Sequence, residues 1–209
     1  MKEKIDRALI LAARHELRIR AARQSLSNFV LETTPGYQMG WVHREICDEL
    51  DGFLQDVADK KSPRLIICMP PRSGKSEIVS RSFPAYAFGL HPDMQIIATS
   101  YSADLTQRFS RDVQRKIDDP KYAEIFPETS LNSKNVKSTS FGSFIRTAEL
   151  FEIVGHRGAY RAAGVGGGIT GMGADILCID DPVKDRRDAN SATIREALWD
   201  WYTSTAYTR

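Results

Sequence analysis

The chain has 209 residues, 42% of them hydrophobic and 27% charged, with a formal net charge of +2. That length supports an α/β domain with a proper core, and the near balance of charge does not identify a nucleic-acid binder, so any DNA contact has to come from local patches. No apolar run approaches the ~20 residues that cross a bilayer, the start Met1-Lys-Glu-Lys-Ile-Asp6 lacks the core of a signal peptide, and Cys47, Cys68 and Cys178, with no C-x-x-C, read as reduced and mostly buried thiols.

Residues 2–24 have a helical pattern with Ile5, Leu9, Ala13 and Leu17 along one stripe. The remaining faces carry Lys2, Lys4, Arg7, Arg14, Arg18, Arg20 and Arg23, which could face DNA, although a solvated face is the commoner outcome. Thr33-Thr-Pro-Gly-Tyr37 breaks the pattern, and a second helix is expected over about 41–57, burying Val42, Ile46, Leu50, Phe53 and Val57.

The apolar run Leu65-Ile-Ile-Cys68 then leads into Met69-Pro-Pro-Arg-Ser-Gly-Lys-Ser76 and a helix-compatible stretch. Strand, tight loop ending in Gly-Lys-Ser, and helix is the arrangement that holds a nucleoside triphosphate. Backbone N–H groups of such a loop point at the phosphates, and the helix N-terminus adds positive potential. Lys75 is placed to reach the β- and γ-phosphates and the Ser76 hydroxyl to ligate Mg²⁺, with Pro71, Arg72, Ser73 and Gly74 forming the loop. The usual pattern begins with glycine, where this chain has Met69. The helix is expected to run to about Ser82, where Pro84 kinks or ends it.

Met94-Gln-Ile-Ile-Ala-Thr99 reads as a core strand, followed by a helix over about 103–118. Short strands are expected at Val136–Phe141, Phe144–Ala148, Phe151–Val154 and Tyr160–Val165. Gly164–Gly173 holds six glycines, and Gly166-Gly-Gly-Ile-Thr-Gly171 formally satisfies G-x-G-x-x-G. No helix follows it, so close-packed or flexible backbone near a triphosphate is the better account than a dinucleotide fingerprint.

In Ala174-Asp-Ile-Leu-Cys-Ile-Asp-Asp-Pro182 an apolar run ends in two aspartates. Buried parallel strands are continuously apolar, and ligands gather at their carboxyl ends. Beside the phosphate-loop strand, this run would set Asp180 on the metal's water shell and Asp181 against the attacking water. The pattern as a whole predicts an α/β P-loop NTPase of the additional-strand, RecA-like class, with a mainly parallel central sheet flanked by helices. The tail opens with the capping-box signature Thr193-Ile-Arg-Glu196 and continues with Ile194, Ala197, Leu198, Trp201 and Tyr202 as an apolar stripe.

The loop Pro70-Pro-Arg-Ser-Gly-Lys-Ser76 resembles the variant phosphate loop of phage terminase large subunits. Further family-like features are Trp41 with His43 before a helix, Ala98-Thr-Ser-Tyr-Ser-Ala103, Gly166-Gly-Gly-Ile-Thr-Gly-Met-Gly-Ala-Asp175, Ile179-Asp-Asp-Pro-Val-Lys184, and Trp199 through Arg209. The resemblance covers nearly the whole chain and implies the N-terminal ATPase domain over 1–209, with a helical segment over about 1–57 at its start. It implies an ATP- and Mg²⁺-dependent motor that moves double-stranded DNA into a procapsid, working as a homo-oligomeric ring on the portal protein with a terminase small subunit. The setting would be the host bacterial cytoplasm, with no membrane involved. The family's C-terminal nuclease and the coupling strand that precedes it have no counterpart in these residues.

Carried over residue by residue, the resemblance puts Lys75 and Ser76 on the phosphates and metal, Asp180 on Mg²⁺, and Asp181 where many relatives have glutamate. Arg72 falls where some relatives supply an arginine finger in cis, with Arg157 and Arg161 as alternatives reaching a neighbour's site. His43 and Gln38 both stand near the position of an adenine-contacting glutamine. A helicase-like remodeller and a prophage remnant that binds without turnover are the competing readings.

Overall fold

The computed structural model describes residues 2–137, 143–169, 171 and 173–208. Residues 138–141 of the strand expected at Val136–Phe141, Thr170, Met172 and Arg209 of the family-like stretches, and the side chain of Ile5 lie outside the described residues.

Helix α1 spans Lys2–Gln24, α2 Leu26–Thr33 and α3 Trp41–Ala58. A π-helical turn over Glu77–Ser82 passes directly into α4, Phe83–Leu90. Strand β1 is Gln95–Ser100, followed by α5 (Ala103–Ile117) and α6 (Pro120–Ile125). Strands β2 (Leu150–Glu152), β3 (Ala159–Gly164) and β4 (Ile176–Ile179) complete a four-stranded sheet of order β2-β3-β1-β4. Helices α7 (Arg186–Asn190) and α8 (Ala192–Trp201) and a π turn over Tyr202–Ala206 follow. The architecture is α/β with a mixed sheet: β1 runs parallel to β3 and to β4, whereas β2 is antiparallel to β3.

Side chains alternate across a strand, and β1 therefore feeds two cores. Ile96 and Ala98 join Tyr160, Ala162 and Ile176 in the main core beneath α2, α3 and α4. Ile97 faces the other way, toward Ala163, Ile169, Trp201 and Ala206. An aromatic cluster of Phe29, Tyr86, Tyr122 and Phe126, with ring centroids 5.4–6.0 Å apart, locks α2 to α4 and α6. Phe29 is wholly buried, which contributes about 2–3 kcal/mol of apolar transfer.

Several expectations are corrected. Leu65–Cys68 belongs to none of the four strands, and β4 pairs with β1. Exposure alternates along it: Leu65, Ile67 and Met69 pack against the main core, while Ile66 is 88% exposed. Ion pairs join the residues that flank it to those that flank β4, Lys60 to Asp175 at 3.7 Å and Lys75 to Asp180 at 3.1 Å. The apolar run thus reflects one-sided burial, and Cys68 is exposed.

Helix α1 forms, but Leu9 and Leu17 are each 63% exposed and Ile19 and Ala22 make its buried contacts. Of the four short strands, Tyr160–Val165 appears as β3 and Phe151–Val154 in part as β2, while Val136 and Arg146 make only isolated bridges. Helix α8 starts earlier than the Thr193 signature predicts, because the Ser191 hydroxyl accepts from Ile194 N–H and caps it. Only Trp201 of the expected stripe is buried within α8. Among the described residues no helix is long and apolar enough to cross a membrane.

Candidate functional site

Parallel pairing of β1, β3 and β4 brings their carboxyl ends to one edge of the sheet. Asp180 and Asp181 follow β4 directly, and the backbone of β1 holds them there. Asp180 N–H donates to Thr99 O at 2.9 Å and Tyr101 N–H to Asp181 O at 3.1 Å. Asp180 is 7% exposed on the main-core side. Asp181 sits at φ +45°, a left-handed conformation uncommon outside glycine that aspartate adopts more readily than most residues, and its side chain is 64% exposed.

The Gly-Lys-Ser loop meets this pair. Lys75 Nζ lies 3.1 Å from Asp180 Oδ1 and 3.1 Å from Asp181 Oδ1. Ser76 Oγ donates to Asp180 Oδ2 at 3.3 Å, and Ser80 Oγ donates to the same oxygen at 2.6 Å. Burial pulls the Lys75 pKa down, but hydrogen bonds and charge from Asp181 and Asp180 outweigh it, and the ammonium is held above its usual range. The site therefore gathers one cation, two carboxylates and two hydroxyls where a helix begins and its first N–H groups lack intrahelical partners.

Two features fix the loop backbone. Arg72 (φ +60°) and Gly74 (φ +86°) both adopt left-handed conformations, which glycine takes without strain. His43, near the start of α3, accepts from Gly40 N–H through Nδ1 at 2.9 Å. That leaves the ring proton on Nε2, which donates to Ser73 O at 2.7 Å. Tyr37 packs edge-on against His43, and its hydroxyl lies 2.6 Å from where a Cβ on Gly74 would sit. Behind the loop, Glu77 is bound by Arg81 at 3.2 Å, Lys116 at 3.4 Å and Thr34 at 3.3 Å. Burial lowers the Lys116 pKa against the opposing charge of Glu77. This ion network ties the loop's helix to α5 and to the end of α2.

The structure thus unites Ser73, Gly74, Lys75, Ser76, Asp180, Asp181 and His43. Pro71 and Arg72 are exposed on the loop, and Gln38 is exposed with its side-chain amide donating to Gly36 O at 3.3 Å. Arg161 lies in the middle of β3 and donates to Gly168 O at 3.3 Å, tethering the glycine-rich turn. Arg157 precedes β3, at the sheet's opposite end, where its N–H donates to Asp93 at 2.8 Å. Six strand residues separate it from the carboxyl edge, roughly 20 Å.

Glycine packing is real at two places in the turn. A Cβ on Gly164 would stand 3.0 Å from Ala103 N, and one on Gly167 2.8 Å from Gly164 O. Ser80, Tyr37 and the Glu77 network escaped sequence reasoning. The spacing of Ser76 and Ser80 was the available signal for the first, since residues four apart share a helix face.

Among the described residues no group of three or more His, Cys, Asp or Glu side chains could hold a metal unaided. One buried carboxylate and one hydroxyl suit Mg²⁺, which keeps several waters and takes its remaining oxygens from phosphates. The donor set fits that ion.

A family model described as terminase large subunit, T4likevirus-type, N-terminal, matches residues 66–209. No curated protein and no solved structure matches the chain.

Proposed function

The chain belongs to the terminase large-subunit N-terminal family of the T4-like type, and from that premise we propose that it is the ATP-hydrolysing motor domain that drives double-stranded DNA into a procapsid. Family membership supports a role in DNA packaging. The observation that carries the finer reading is the convergence of Lys75, Ser76, Asp180 and Asp181 at the sheet's carboxyl edge. The fold reading that accompanies it is a P-loop NTPase over 1–209, with the helical segment of about 1–57 at its start.

In this reading the Lys75 ammonium leaves the two aspartates and binds the β- and γ-phosphates, while the N–H groups of Ser73, Gly74, Lys75 and Ser76 line the phosphate path. Ser76 Oγ and the water shell oriented by Asp180 would hold Mg²⁺, which supplies charge neutralisation at the phosphates when bound. Asp181, freed from Lys75 and open to solvent, orients the attacking water and accepts its proton. Arg72 is placed in the loop to stabilise charge in cis; Arg157 and Arg161 are the alternatives in trans, from a neighbour in a ring. His43 pins the loop through Ser73, and with Gln38 marks the side on which adenine would lie. Portal protein and the small subunit are the packaging partners this reading implies, with the bacterial host cytoplasm as the setting.

The test is steady-state Mg·ATP hydrolysis with and without duplex DNA, beside Lys75→Ala. Turnover that rises with DNA and disappears in the variant is expected. Turnover equal in both proteins would place hydrolysis elsewhere and defeat the reading.

A further inference from the structure

The turn that follows the phosphate loop carries a second hydroxyl on the Asp180 carboxylate. Ser80 Oγ is 2.6 Å from Asp180 Oδ2, shorter than the 3.3 Å contact from Ser76. Both ends of the Ser80 contact are buried, at 4% and 7% exposure. A hydrogen bond onto a buried charged oxygen is among the stronger ones in a protein.

The local backbone accounts for its position. Ser76 and Ser80 are four residues apart and so share a face. In a regular α-helix, Pro84 would press its ring on the Ser80 carbonyl, four residues back. The chain instead widens into the π turn, closed by Phe83 N–H on Ile78 O. Such turns recur at functional sites.

Three donors hold Asp180: Lys75 on Oδ1, and Ser76 and Ser80 on Oδ2. With nucleotide in the site proposed above, on which this inference rests, Lys75 turns to phosphate and the Ser76 oxygen to the metal. Ser80 alone has no second duty. We infer that Ser80 is a positioning residue for Mg²⁺: its hydroxyl on Oδ2 fixes the plane of the Asp180 carboxylate, which would keep that group oriented to help hold the ion once Lys75 has left. Residues that orient metal-site groups from behind typically change metal affinity 10–100-fold when removed.

The test measures binding of a fluorescent ATP analogue to the full chain, in EDTA and across a Mg²⁺ titration, so that it does not depend on turnover. Ser80→Ala is expected to bind nucleotide in EDTA within about twofold of the parent, while its Mg²⁺ midpoint rises about tenfold or more. Ser80→Thr, which keeps the hydroxyl, should return the midpoint toward the parent. Ser82→Ala is the control: it lies in the same turn, and its buried hydroxyl has no hydrogen-bond partner among the described residues. An unchanged midpoint in Ser80→Ala overturns the inference alone, as does an equal rise in Ser82→Ala, which would mark a packing effect. A parent chain that binds no nucleotide overturns the nucleotide site and this inference together.

Discussion

Replacing Asp181 by asparagine separates the two carboxylates. Asp181 shares Lys75 with Asp180 at equal distances of 3.1 Å, but the two environments differ. Asp181 is 64% exposed and Asp180 8%, by side chain. An ion pair open to solvent is worth about 0–1 kcal/mol, so Asp181→Asn should cost no more than about 1 kcal/mol, a Tm loss of about 2–4 °C at this chain length. Removing a negative charge beside the phosphates leaves ATP binding as tight as in the parent or tighter. Hydrolysis should fall about 10²–10⁴-fold, the range for loss of a positioned general base, or about 3–5 kcal/mol of barrier. Equilibrium binding of a fluorescent ATP analogue, phosphate release and thermal melting on the same preparation measure all three. Hydrolysis within about threefold of the parent, in a folded variant that binds ATP, would refute the role of Asp181.

Gly74→Ala puts a side chain at φ +86° and a Cβ 2.6 Å from the Tyr37 hydroxyl. The backbone cost of about 1–2 kcal/mol should appear in denaturant melts with a further clash term, and adding Tyr37→Phe should recover only the clash. Burial pushes the Asp51 carboxyl up to about 6, against hydrogen bonds from Leu26 N–H. The folded state thus holds its proton more tightly than the unfolded chain, so this group's stabilisation is complete below about pH 4 and is lost as pH rises through about 6. The two-unit difference would be worth roughly 3 kcal/mol at full burial, and solvent access cuts it to about 1 kcal/mol. Asp51→Asn should flatten the stability profile over pH 4–7 by that amount, read from melts across the range; an identical slope in both proteins would contradict it. Arg72→Ala should lower hydrolysis at least about tenfold, the loss of one charge-assisted contact, with little change in Tm. A rate unchanged in Arg72→Ala and lost in Arg161→Ala would move the finger to β3.

The site was more legible than the fold around it. Gly74-Lys75-Ser76 and Asp180-Asp181 carry their chemistry in residue type and order, and the sheet brings them within hydrogen-bonding distance. Strand β1 is readable as a continuous apolar run, buried on both faces, and helix α5 by its amphipathic spacing. Leu65–Cys68 has the composition of a strand yet does not pair, because an apolar run signals burial rather than pairing, and here burial is one-sided with Ile66 88% exposed. Helices α2 and α6 are too short for a periodic signal; Pro120 at the start of α6 and the Asp119 cap were the local cues. On α1, hydrophobic spacing predicted a helix correctly, but tertiary packing chose Ile19 and Ala22 over Leu9 and Leu17. The π turn over Glu77–Ser82 has no periodic signature, and its local cue is Pro84, whose ring would clash with the Ser80 carbonyl in a regular α-helix.

The central claim is that the Gly-Lys-Ser loop is a triphosphate site, and calorimetric titration of Mg·ATP into the chain and into Lys75→Ala tests it most directly. Saturable one-to-one binding by the parent, weakened at least about tenfold in a variant that remains folded, is the predicted result. Equal binding by both proteins, or none by the parent, would contradict the account.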